Sequence, residues 1–113
     1  MKTYTGSCHC GAVRFSVESD FTEGIECNCS HCHRKGFVLS FVPAEAFTLI
    51  AGEDSLTDYL FNKKTITHRF CKICGVQPFA ISAEMGKVAV NLRCVDDLDL
   101  ATLSIDKVNG KDF

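Results

Sequence analysis

The chain has 113 residues, 46% of them apolar and 23% charged, and a formal net charge of −2. That length fits one domain over residues 1–113 with its core at about 4–103, and burial alone stabilises so small a domain weakly. An acidic balance lacks the basic face that general nucleic-acid binding needs. No apolar run reaches membrane-spanning length, and Met1 to Thr5 carries no apolar signal region. The expectation is a cytoplasmic protein with reduced thiols and with neither nucleic acid nor membrane as partner.

In chain order, the dominant pattern is short β alternation broken by glycine. Cys8-His9-Cys10-Gly11 reads as a knuckle between strands, followed by a strand at Ala12–Glu18 with Val13, Phe15 and Val17 on one face. Ile25–Asn28 is a short strand leading into a second cysteine group. Phe37–Val42 is an apolar strand stopped at Pro43. Phe47–Ala51 and Leu56–Phe61 flank a turn at Gly52–Ser55. Lys63-Lys64 reads as solvated loop charge. Thr65–Phe70 alternates again, with Ile66, His68 and Phe70 sharing a face, and delivers the chain to Cys71-Lys72-Ile73-Cys74-Gly75. Gln77–Ala83 and Lys87–Cys94 bracket a hairpin turn at Glu84-Met85-Gly86. Asp96–Leu103 is the best helical candidate, with Asp96 or Asp97 as its cap, and Lys107–Phe113 reads as a polar, frayed tail. The class is mainly β: layered antiparallel strands around zinc knuckles, with at most one short helix.

Eight residues are cysteine, and seven of them fall into three tight groups. A disulfide scaffold fits poorly, because the grouped thiols are too close in sequence to bridge one another and no export signal is present. Zinc takes four ligands in a tetrahedron, and two thiols a few residues apart on a turn converge on one ion. Cys71-x-x-Cys74-Gly75 is half of such a site. A thioredoxin-like redox pair has the same spacing but needs a following helix, which Gly75 and Pro78 disfavour. Cys8 and Cys10 are the remaining half, giving a closed four-thiolate site.

Cys27, Cys29 and Cys32 form a separate trio whose offsets let all three sulfurs wrap one ion. Either His31 or His33 closes that site, or its fourth place is left for water or a substrate atom. His9, between two ligands, points away from the sulfurs. His68 on an alternating strand reads as structural, and Cys94 as a small buried apolar residue. Arg34, Lys35 and Arg93 are the candidates for holding a carboxylate.

The run Gly6-Ser7-Cys8-His9-Cys10-Gly11-Ala12-Val13, then Cys27-Asn28-Cys29-Ser30-His31-Cys32-His33-Arg34, then Phe70-Cys71-Lys72-Ile73-Cys74-Gly75 resembles the glutathione-dependent formaldehyde-activating enzyme family, which also includes a centromere-associated branch. Asn91-Leu92-Arg93-Cys94-Val95-Asp96 resembles that family's late strand. The resemblance implies a β-tent zinc fold. It also implies a structural zinc on Cys8, Cys10, Cys71 and Cys74, and an exchangeable, catalytic zinc on Cys27, Cys29 and Cys32. The activity implied is a carbon–sulfur lyase forming or cleaving a thiol–aldehyde adduct such as S-hydroxymethylglutathione. Arg34 and Lys35 would steady a glutathione carboxylate. A non-catalytic zinc scaffold of the same fold is the competing expectation, since a fold does not fix a function.

Overall fold

A computed structural model describes residues 1–61 and 64–110. It is mainly β: strands β1 (Lys2–Ser7), β2 (Arg14–Ser19), β3 (Glu23–Cys27), β4 (Leu39–Pro43), β5 (Phe47–Ala51), β6 (Leu56–Tyr59), β7 (Thr67–Cys71), β8 (Phe79–Ser82), β9 (Lys87–Asn91) and β10 (Ser104–Val108). One α-helix, α1 (Ser30–Lys35), stands among the described residues, with four isolated 3₁₀ turns. The strands form two sheets, one of order β1-β2-β5 and one of order β10-β3-β4-β9-β8-β7-β6. All pairings are antiparallel except β10 with β3, which is parallel and departs from the antiparallel expectation.

The main core lies between the sheets. The period-two alternation of β2 sends Val13, Phe15 and Val17 inward, each at most 1% exposed. Phe47 of the small sheet stacks on Phe15 at 5.2 Å and meets Phe79 of the large sheet at 4.7 Å, closing an aromatic column across the layers. Burying each such ring contributes about 1.5–3 kcal/mol. Val38 and Val42 of the β4 region and Val88 and Val90 of β9 face the same core. Their alternates Leu39 and Ala89 face the other way, joining Cys32, Phe37 and Ala80 in a second, smaller core. Central strands buried on both faces are the reason this stretch of sequence looks continuously apolar.

Three expectations are corrected. Asp96–Leu103 is not a helix: the Asp96 N–H donates to the Thr5 carbonyl at 2.8 Å, and Gly6 bridges Val95, which ties the segment to the β1 edge. Asp97 takes a positive φ of 58°, and only one 3₁₀ turn, Leu100–Thr102, survives, capped by Asp99 rather than Asp96 or Asp97. The α-helix sits instead at Ser30–Lys35, inside the second cysteine group. The tail is not frayed from Lys107, because Lys107 and Val108 belong to β10 and pair with Glu26 and Cys27. Residues 111–113 of that tail, and Lys63 of the Lys63-Lys64 pair, lie outside the described residues, and Lys64 is exposed.

Candidate functional site

The sulfurs of Cys8, Cys10, Cys71 and Cys74 all lie within 4.8 Å of one another. Cys8 and Cys10 come from the β1–β2 turn, Cys71 and Cys74 from the β7–β8 turn, so the cluster joins the small sheet to the large one. The two turns are built alike. The Cys8 N–H donates to the Val13 carbonyl at 3.1 Å and the Cys71 N–H to the Val76 carbonyl at 2.9 Å, each spanning five residues. Gly11 and Gly75 hold φ values of 83° and 82°, a left-handed backbone that costs glycine little and other residues more.

This cluster passes a geometric test for a tetrahedral metal. Four sulfurs at 2.3 Å from a central zinc would stand about 3.8 Å apart. Cys8 and Cys10 sulfurs are 3.6 Å apart and Cys10 and Cys71 sulfurs 3.7 Å, far longer than a disulfide bond. The thiols also compete for ionisation. For Cys74 burial acts upward, but the Val76 and Cys10 N–H groups and the Cys71 and Cys8 sulfurs outweigh it and take it down to about 6. Cys10 is pushed up to about 11 despite a favourable Ala12 N–H, by burial and by its three sulfur neighbours. Like groups sharing one site divide in this way, and a dication among them would let all four ionise together.

Cys27, Cys29 and Cys32 form the second cluster, their sulfurs likewise within 4.8 Å of one another. Cys27 ends β3, and Cys29 is the N-cap of α1: its sulfur accepts the Cys32 N–H at 3.2 Å. Gly36, in the left-handed region, ends the helix by donating its N–H to the Cys32 carbonyl at 2.9 Å. One helical turn thus carries Cys32 round to Cys29. Burial pushes the Cys32 thiol up, and the Cys29 and Cys27 sulfurs reinforce it. Cys29 goes the other way: burial opposes, but the Cys32 N–H and thiol win.

No fourth His, Cys, Asp or Glu among the described residues joins this trio. His31 points elsewhere, its ring 4.2 Å from that of His68 and 5.2 Å from that of Phe61. His33 is exposed and lines a cleft of about 390 Å³ with Cys27, Asn28, Lys107 and Asn109. The polypeptide closes in from the other end too. The Asn28 N–H donates to the Val108 carbonyl at 3.1 Å and the Asn28 amide to Asn109 Oδ1 at 2.9 Å. Gly110 then comes so close that a Cβ there would lie 2.2 Å from the Cys27 sulfur. Nothing local in the sequence marks Asn109 and Gly110, because a parallel strand pairing brings them in from far along the chain.

Arg34 and Lys35 are exposed and line a different cleft, of about 600 Å³, with Ser30, His31, Tyr59, Phe61, Phe70 and Gln77. Helical periodicity explains the division: residues 30, 31, 34 and 35 share one side of α1, while Cys32 and His33 face away from it. Arg93 is engaged structurally, its Nε donating to the Gly36 carbonyl at 2.9 Å. His68 is 7% exposed and donates to or accepts from the Gln77 amide at 3.1 Å. Burial, then the charges of His31 and Lys35, push it down to about 4. Cys94 is partly buried and packs against the main core, and burial pushes its thiol up to about 12.

The molecule is therefore a mainly β protein with two cysteine clusters, each able to hold a metal ion. More narrowly, the chain belongs to the glutathione-dependent formaldehyde-activating enzyme family, whose model matches residues 3–107. It is also similar to a solved crystal structure of a Rhodobacter sphaeroides protein, with a TM-score of 0.80 and 27% identity over 90% of this chain and 99% of that one. Among the described residues no helix is long and apolar enough to cross a membrane.

Proposed function

We propose that the protein is a zinc-dependent carbon–sulfur lyase of the formaldehyde-activating type, forming or cleaving a thiol–aldehyde adduct such as S-hydroxymethylglutathione. Cys8, Cys10, Cys71 and Cys74 hold a structural zinc. Cys27, Cys29 and Cys32 hold a second, exchangeable zinc at the reacting centre. The carrying observation is the contrast between the clusters: four sulfurs in one, and three with no further protein donor among the described residues in the other. Closed four-ligand zinc sites are structural, and three-ligand sites leave a position for substrate.

In the forward reaction the thiol sulfur bonds to the aldehyde carbon, the carbonyl π pair moves to oxygen, and the thiol proton ends on that oxygen as a hydroxyl. Cleavage is the reverse. Zinc on the trio would supply Lewis acidity and lower the pKa of a bound thiol. The chain's own residues orient the partners. The Cys32 N–H bond to the Cys29 sulfur fixes one donor, and the Asn28 contacts with Val108 and Asn109 fix the wall beside Cys27. The cleft at Cys27 has His33 and Lys107 on its rim, groups able to hydrogen bond a polar co-substrate. Holding thiol and aldehyde together removes part of the entropy cost of their encounter. Arg34 and Lys35, across α1, hold a carboxylate.

The test is the rate of adduct formation from formaldehyde and glutathione, followed by exchange NMR with zinc-loaded protein. Acceleration over the uncatalysed reaction, lost in Cys29→Ser while the chain stays folded, supports the lyase. If no thiol–aldehyde pair is accelerated or bound, the non-catalytic scaffold replaces it.

A further inference from the structure

The larger cleft contains no cysteine and needs its own explanation. Its volume, about 600 Å³, lies within the range of small-molecule sites and far exceeds what a one-carbon aldehyde would occupy. Its walls are rings. Tyr59 and Phe61 stand 5.5 and 5.2 Å from His31, and Phe70, on the same sheet face as Tyr59, lies 5.7 Å from the Lys35 ammonium.

Its charges are one-sided. Among the described residues, Arg34 and Lys35 are the charged side chains lining it and no carboxylate does. The acids on the neighbouring β6 side are already engaged, since Arg69 binds Asp58 at 2.9 Å and Glu53 at 2.9 Å. Neither Arg34 nor Lys35 pairs with an acid among the described residues, and Arg34 spends one N–H on the Ser30 carbonyl at 3.0 Å. A guanidinium and an ammonium side by side favour a planar oxyanion.

Behind the inner end lie two buried polar atoms. Gln77 is 4% exposed, and among the described residues its Oε1 has no hydrogen-bond partner, nor has Nδ1 of His31. Turning the Gln77 amide over does not help. His68 Nδ1 engages whichever amide atom faces it, and the other is left over. Both atoms are sealed from solvent behind the cleft wall, and unpaired buried polar atoms cost about 1–3 kcal/mol each.

We infer that this cleft is a binding site for a small ring-bearing carboxylate, its carboxylate on Arg34 and Lys35 and its ring against the Tyr59, Phe61 and Phe70 side chains. The inference extends the carboxylate-holding role of Arg34 and Lys35 to a ligand class, and it does not need a metal on either cysteine cluster.

The probe is 4-hydroxybenzoate, titrated into the zinc-loaded full chain and followed by amide NMR shifts. Acetate lacks the ring, and 4-hydroxybenzyl alcohol lacks the carboxylate. The expected result is saturable shifts at His31, Phe70 and Gln77 with a Kd below about 1 mM. Either control compound, or the exposed-site double variant Arg34→Ala/Lys35→Ala, should bind about tenfold or more weakly, as loss of charge-assisted contacts predicts. No saturation by the probe, equal binding of acetate, or an indifferent double variant would overturn the assignment. Probe binding without lyase activity leaves this site standing and removes the proposed reaction. Activity with no probe binding does the reverse.

Discussion

The sulfurs of Cys10 and Cys71 lie 3.7 Å apart although 61 residues separate them. One belongs to the turn of the small sheet and the other to the end of β7 in the large sheet. A metal held between them would fasten the two layers that enclose the main core. The trio lies differently: β3 and α1 supply all three of its cysteines within six residues, and its local cross-link spans no layer junction.

That difference predicts unequal costs. Cys71→Ser removes a fully buried thiol from the interlayer cluster and, if that cluster holds the proposed zinc, should destabilise by about 4 kcal/mol or more, in the range of lost metal or disulfide cross-links. Cys29→Ser should cost less than about 1 kcal/mol, because serine is a preferred N-cap and can keep the bond from the Cys32 N–H. Urea unfolding of both variants checks this, and equal losses would contradict the division of labour.

Gly110→Ala should separate the two clusters more cleanly. Its Cβ would fall 2.2 Å from the Cys27 sulfur, with the Cys29 Cβ at 3.4 Å, so either the tail or the Cys27 side chain must shift. The expected outcome is loss of metal from the trio at near-normal fold stability, with the interlayer cluster unaffected. Metal analysis alongside thermal unfolding reads both.

Much of this was legible in the sequence, for physical reasons that differ by residue. The Val13, Phe15, Val17 alternation survived because one face of β2 is buried and the other is not. The three cysteine groups survived because local spacing fixes what a turn can converge. Ser30–Lys35 was missed as a helix because its N-cap is a cysteine, outside the usual capping residues, although Cys29-x-x-Cys32 followed by Gly36 marks both ends. Strand β10 was missed because Ser104–Val108 alternates weakly and pairs with a strand about 80 residues earlier, a non-local contact with no local signal. The separation of Arg34 and Lys35 from Cys27 became visible only once α1 gave them a periodicity of 3.6.

His68 predicts a pH dependence. Its folded pKa, about 4, lies below its ordinary 6.5, so between those values the unfolded chain binds more protons. Stability should therefore fall as pH drops from about 6.5 towards 4, with His68 contributing up to about 3 kcal/mol of that loss. Among the described residues the groups facing it are His31, Lys35, the Gln77 amide and the Tyr59 and Phe61 rings, with no carboxylate that would offset the effect. Urea midpoints of wild type and His68→Gln across this window isolate the contribution from any acid release of metal. Parallel slopes would show that His68 is not held neutral by burial.

Thiol reactivity offers a check on the redox alternative. With a metal in place, Cys71 and Cys74 should resist a thiol reagent until a strong chelator is added, whereas a free dithiol would react at once. Cys94 should react only on unfolding, because burial holds its thiol at about 12.

Native mass spectrometry of the purified chain, before and after a mild chelator, reaches the central claim most directly. Two zinc ions per chain, one lost to the chelator while the protein keeps a folded charge-state distribution, is the predicted result. A chain that carries no zinc, or that surrenders both ions together as it unfolds, would contradict a structural interlayer site paired with an exchangeable one.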